Sequence, residues 1–271
     1  MFAFPVHSPM LFPDWSALLH ALPAWGAFLA LGAALGFFGG LFGIGGGIVA
    51  IPLLVLGFHL DQAHAQGTAL VLMVPNLIVG WWRYQRRHPV SWRAVLAIGT
   101  SATLTTAVLA HFAMRLPSGI LQGLFSAFMA LMAWRLFRAR ASEGGPAKPL
   151  PTRLLPLVGV AGGSSMGLLG IGGGLVATPM LSGWLGQRQT VAQSLSLALV
   201  APSSVVALWS YAGAQRVDWA LGLPMALGGL LTVSAGVALA HRLPERRMRR
   251  AFAGMLAMTA AWMAVAPLLM H

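Results

Sequence analysis

Long apolar stretches recur along this 271-residue chain, at roughly 18–42, 64–84, 92–113, 118–137, 154–170, 190–212, 218–240 and 248–269. A helix needs about 20 predominantly apolar residues to cross a bilayer. Two shorter stretches, 47–58 and 174–186, cover only about half that thickness. In lipid every backbone N–H and C=O must find a partner inside the protein, so segments of this kind fold as helices. A soluble domain carries about a quarter of its residues as charges; here the share is 8%, with a mean hydropathy of +0.78. The expected fold is an all-α polytopic membrane protein with about 8 spanning helices and two short or re-entrant half-helices. An ordinary cytosolic enzyme and a disordered chain are both excluded.

The chain is also duplicated. GFFGGLFGIGGGIVAIPLLVLGF (36–58) and GSSMGLLGIGGGLVATPMLSGWL (163–185) share 12 of 23 positions at an offset of 127. Without a gap, the same offset pairs Ala65-Gln66 with Ala192-Gln193, Pro75 with Pro202, Trp92 with Trp219 and Phe125 with Phe252. Chance likeness between apolar stretches keeps Leu and Ala in phase, but not Gly, Pro, Gln and Trp. The expected organisation is a lead-in (1–17), a first transmembrane repeat (18–137), a cytoplasmic linker loop (138–153) and a second repeat (154–271). The lead-in lacks the positive n-region of a signal peptide. Duplication in a membrane protein is a mark of transporters and some channels.

Charge orients the copies. Short cytoplasmic loops carry the excess of Lys and Arg. If the two pieces around each glycine motif together return the chain to the side it came from, 15 of the 17 basic residues lie inside. Only Arg115 and Arg216 then lie outside. Placing each motif within a single crossing divides them 10 against 7. The first arrangement wins. It makes the repeats inverted, puts both termini outside the cytoplasm, and fits a multi-pass protein of a bacterial-type inner membrane. The net charge of +12 is therefore a topology signal; no clustered basic face for nucleic acid exists.

Within each copy the sequence GIGGG (43–47 and 170–174) interrupts an apolar helix. Glycine costs a helix about 1 kcal/mol relative to alanine and permits positive φ. A helix broken at membrane depth must be buried in protein or line a wet cavity. A helix restarting after Gly45, Gly46 and Gly47, or after Gly172, Gly173 and Gly174, turns its first N–H groups and positive dipole end toward the break. Two such starts related by inversion form an anion site without a charged side chain. Gly32, Gly36 and Gly40, with Gly159, Gly163 and Gly167, are spaced by four and read instead as close helix packing.

Proline supplies a second expected weakness. Pro75 and Pro202 fall midway along aligned helices and free the carbonyls of Val71 and Ala198; Pro52 and Pro179 follow the glycine motifs. These four are candidate gating or kink positions. Gln66, Thr68 and Asn76 in one copy, and Gln193, Ser194 and Ser203 in the other, can offer neutral hydrogen bonds to an oxyanion. The run Thr100, Ser101, Thr103, Thr105, Thr106 is read mainly as hydroxyls bonded back to helix carbonyls.

Asp14, Asp61, Glu143, Asp218 and Glu245 all fall at loops or segment ends, leaving no carboxylate proton relay mid-membrane. The chain has no cysteine, no P-loop, no plausible dinucleotide fold around its glycines and no placeable Ser–His pair. No metal, cofactor or enzymatic chemistry is expected. His59, His64, His111 and His241 read as interfacial.

On the residues GGLFGIGGGIVAIPLL followed by AQGTAL, and SMGLLGIGGGLVATPML followed by AQSLSL, the chain resembles the sulfite exporter TauE/SafE family of membrane permeases. The resemblance covers both halves, about 25–268. It implies an inner-membrane transporter, some of whose relatives export sulfite or organosulfonates. The second copy departs in having Ser194-Leu195 where the first has Gly67-Thr68. Residues and resemblance together give a secondary transporter, in the exporting direction, of a small anion by alternating access. An anion channel is the first alternative and a non-transporting scaffold subunit the second. Coupling ion and oligomeric state are not encoded in any motif.

Overall fold

The computed structural model describes residues 25–42, 45–87, 89–138, 152–187, 189–240 and 245–269. The lead-in, Gly43 and Ile44, most of the linker, Arg188, and His241 to Pro244 lie outside the described residues. Ten α-helices stand among those described: α1 Trp25–Phe42, α2 Gly47–Gly57, α3 Gln62–Arg87, α4 Trp92–Ala113, α5 Ser118–Arg138, α6 Leu155–Leu169, α7 Gly174–Pro179, α8 Gln189–Gly213, α9 Trp219–Ala240 and α10 Glu245–Leu269. Six of them, α1, α3, α4, α5, α8 and α9, are long and apolar enough to cross a membrane.

One of the eight expected spans falls short. Helix α6 has only 15 residues, about 22 Å at 1.5 Å per residue, because Gly170 takes φ +64 and closes it with an N–H bond to Met166 O at 3.0 Å. Helix α10 spans 25 residues, Glu245–Leu269, and concentrates its charges (Glu245, Arg246, Arg247, Arg249, Arg250) in its first turns, with the apolar stretch following them. The two half-helices are as short as expected. Helix α2 has 11 residues, and α7 passes after Pro179 into a π-helical turn, Met180–Trp184. Pro75 and Pro202, by contrast, do not break α3 or α8, which continue through them. The ring removes one donor, and the bonds on either side keep the helix running.

Local chemistry sets several helix starts. Ser91 accepts from Ala94 N at 3.4 Å before α4, Asp218 from Leu221 N at 3.1 Å before α9, and Asp61 from His64 N at 3.0 Å before α3. Helices α3 and α8 pack on each other at the centre and are the most buried of the six spans. Around them α1 pairs with α9, α4 with α6, and α5 with α10.

The four-spaced glycines make two of these pairings very close. A β-carbon at Gly32, Gly36 or Gly40 would fall on the backbone of Met225, Gly229 or Val233. One at Gly159, Gly163 or Gly167 would meet Ile98, Ala102 or Thr106. Both contact series advance together along the chain, so α1 runs parallel to α9 and α6 parallel to α4. The α2–α3, α4–α5 and α8–α9 turns share one face, since Gln62 N donates to Ser118 Oγ at 3.1 Å and Arg216 reaches Asp61 at 2.9 Å. Helix α1 therefore starts on that face, beside the start of α9, and α2 returns to it. The α6–α7 pair starts and ends on the opposite face.

The polarity of the body is inverted relative to a soluble protein. Trp92, Leu104, Trp184, Trp209, Leu231 and Met258 are exposed, while Gln62, Gln66, Thr68, Ser194, Ser203 and Ser204 are fully buried. Such an exterior suits hydrocarbon, and such an interior needs polar neighbours or a polar guest.

Candidate substrate site at the two helix breaks

Gly45 and Gly46 turn the first break, with φ of +71 and +90. The carbonyl of Gly46 accepts from Val49 N at 3.2 Å and Ala50 N at 3.0 Å, so α2 is wound from Gly47 onward. The turn is packed from behind by Gly39, where a β-carbon would meet the Gly45–Gly46 backbone. At the second break Gly170 carries the positive φ, while Gly173 is in the right-handed region. Gly173 O accepts from Val176 N at 3.2 Å and Ala177 N at 2.9 Å. The two breaks are thus equivalent in place but turn at different glycines. Both are buried: Gly45, Gly46, Gly47, Gly172 and Gly173 have little or no exposure, and Gly174 is half-buried. Ile171 and Leu175 beside the second break share an apolar cluster with Ile48, Ile51 and Leu54 of α2.

The polar side chains group unevenly around these breaks. Gln66 is wholly buried and lies against Gly170, so an amide of the first half stands beside the break of the second. Its Oε1 accepts from Tyr211 OH at 2.6 Å, and its Nε2 has no partner in the protein. Asn76 is 4% exposed, with neither amide atom paired, and its nitrogen faces Gly229 on α9. Thr68 Oγ1 accepts from Asp218 N at 2.9 Å and keeps its own proton to give. Ser203 donates to Leu199 O at 2.7 Å. Ser194 is buried and Gln193 half-buried on α8. Near Gly174, Ser196 Oγ meets Thr178 Oγ1 at 2.8 Å. In the Thr100–Thr106 run most hydroxyls bond back along α4, but Thr106 crosses to Gly163 O at 3.1 Å.

Tyr211 was not apparent from motif spacing. Its signal was present all the same: the chain has two tyrosines, Tyr84 and Tyr211, and they are 127 residues apart like the rest of the duplication. The Asp61–Arg216 link was also missed, although Arg216 stood out as one of two basic residues on the far side of the charge pattern.

Residues 28–263 match the family described as Sulfite exporter TauE/SafE. The chain belongs to this family. As a TauE/SafE member it is a multi-pass membrane protein of a transporter family and not an enzyme. It is 26% identical to a probable membrane transporter protein of Methanocaldococcus jannaschii, over 82% of this chain and 88% of the relative. It is 27% identical to proteins of the same description from Xylella fastidiosa (78% and 83% covered) and Haemophilus influenzae (83% and 92% covered). No solved structure matches it.

Proposed function

We propose that this TauE/SafE transporter is a secondary carrier that exports a small sulfur-containing oxyanion, such as sulfite or an organosulfonate, by alternating access of two inverted repeats (18–137 and 154–271). One observation carries the reading: the close contacts Gly32–Met225, Gly36–Gly229 and Gly40–Val233 recur as Gly159–Ile98, Gly163–Ala102 and Gly167–Thr106. Every residue of the first set has its counterpart 127 positions away in the second. The sense of the two broken hairpins, one starting and ending on each face, supports inversion. Two buried helix starts then approach the bundle interior from opposite sides, which is where transporters built this way bind substrate.

The substrate shell is assigned to the backbone of Gly45–Gly47 and Gly172–Gly174, completed by Gln66, Gln193, Thr68, Asn76, Ser194 and Ser203. Pro52, Pro75, Pro179 and Pro202 are assigned to flexing of the helices that flank it. Donors without charge suit a guest that must be bound and released within each cycle. The protein sits in a bacterial-type inner membrane with both termini outside the cytoplasm. The test is sulfite flux in proteoliposomes. Gly46→Val and Gly173→Val in folded protein are expected to abolish saturable flux and counterflow. Wild-type flux in both variants defeats the site, and flux without counterflow or saturation makes the protein a channel.

A further inference from the structure

Tyr211 is the largest fully buried side chain among the described residues, and its hydroxyl goes to a neutral amide. The bond to Gln66 Oε1 measures 2.6 Å. That suits O–H···O and is shorter than N–H···O bonds run, about 2.7–3.2 Å. The hydroxyl is therefore the donor and Oε1 the acceptor, which fixes the orientation of the carboxamide. A second carbonyl, Gly167 O, lies 3.4 Å from the same hydroxyl and takes at most the long arm of its single proton. With Oε1 turned to Tyr211, the NH2 end is turned away from it, wholly buried and without a partner. A buried N–H left unpaired bears its full desolvation penalty. The arrangement lies directly against Gly170, at the second break.

Resting on the anion-carrier reading above, we infer that Tyr211 is a positioning residue that makes Gln66 present N–H rather than C=O to the substrate, and so selects a fully deprotonated oxyanion over a neutral molecule of the same shape. A free glutamine can turn either end of its amide to a ligand and therefore accepts donors and acceptors alike. Held by Tyr211, it offers an unpaired buried donor from a side chain whose stem packs on Gly170 at the second break. A guest with oxygen acceptors and negative charge gains charge-assisted bonds there. A neutral guest whose own N–H must find an acceptor gains less.

The probes are methanesulfonate, an anion, and methanesulfonamide, its neutral analogue, titrated against purified protein by thermal shift and calorimetry. Wild type is expected to prefer the anion. Tyr211→Phe is expected to weaken methanesulfonate by at least about tenfold and to narrow its preference over methanesulfonamide, a ratio that loss of packing alone does not move. Unchanged anion affinity and preference in folded Tyr211→Phe overturns the inference and leaves the carrier reading standing. Wild type that binds neither methanesulfonate nor sulfite overturns both. Should Tyr211→Phe fail to fold, Gln66→Glu and Gln66→Leu decide. The first keeps an acceptor for the Tyr211 hydroxyl and removes the NH2. Because it also adds a negative charge, it is read beside the uncharged Gln66→Leu: loss of the preference for methanesulfonate over methanesulfonamide in Gln66→Leu supports the assignment, and a retained preference there overturns it.

Discussion

Asp61 and Arg216 meet at 2.9 Å across the face where the α2–α3 and α8–α9 turns come together. His64 closes the group, its Nδ1 at 2.8 Å from the same carboxylate oxygen. One sequence half is thereby tied to the other at the mouth of the bundle, two turns of helix away from Thr68 and its bond to Asp218.

This link makes stability depend on acid. Partial burial pushes the Asp61 carboxyl up, but hydrogen bonds from the His64 ring and N–H, with the charges of His64 and Arg216, outweigh it and hold the group below its ordinary range. A carboxyl lowered in the folded state adds stability above its unfolded value, about pH 4, and loses it as pH falls below that. Both side chains are 37% exposed and screened by solvent, so the contribution is at most about 1 kcal/mol. Thermal unfolding of wild type and Asp61→Asn is expected to differ at pH 7 and to converge toward pH 3. A constant difference across that range removes the carboxyl from the explanation.

Asn76 invites the opposite manipulation. Both of its amide atoms are buried without partners, and replacing such a group by an apolar side chain of similar shape recovers part of its desolvation cost, about 1–3 kcal/mol. Asn76→Leu is expected to raise the melting temperature in detergent while lowering sulfite flux. A variant that is less stable and equally active places Asn76 in the packing instead.

Glycine tolerance divides by neighbour, not by helix propensity. Gly36→Leu drives a side chain into the Gly229 backbone and is expected to cost more than the 1–3 kcal/mol or so typical of an overpacked core. Gly123 on α5 has nothing near a β-carbon, and Gly123→Ala is expected to be neutral or to stabilise by up to about 1 kcal/mol. Expression and melting temperature of the two variants check this, and similar losses for both contradict it.

The orientation is open to labelling because the chain has no cysteine of its own. Ala214→Cys, exposed in the α8–α9 turn, is expected to react with an impermeant maleimide in intact cells. Pro89→Cys, exposed before α4 on the opposite face, is expected to react only after permeabilisation. The reverse pattern turns the protein over.

Segment composition was enough to locate the ten helices of the described residues, and the spacing of Gly32, Gly36 and Gly40 was enough to mark them as packing residues. Helix lengths were less legible. Where α6 stops depends on which glycine of Gly170–Gly174 takes the left-handed turn, and apolar sequence is silent on that choice. The breaks themselves differ between copies for the same reason. Side-chain pairs were least legible: Tyr211 and Gln66 are 145 residues apart, Asp61 and Arg216 155. Such partners become neighbours only when α3 and α8 pack, and no local pattern announces them. Pro75 and Pro202 lie inside α3 and α8, which continue through them, so a lost donor at a proline does not by itself mark where a helix ends.

The glycine contacts have a mechanical consequence. Helix α1 is seated on α9 without a side chain between their backbones, and α6 is seated on α4 in the same way. Each pair joins one helix from residues 18–137 to one from 154–271. Sliding either pair apart would open voids along its whole seam. On the alternating-access proposal, each of these pairs travels as one strut made of a helix from either side of the linker.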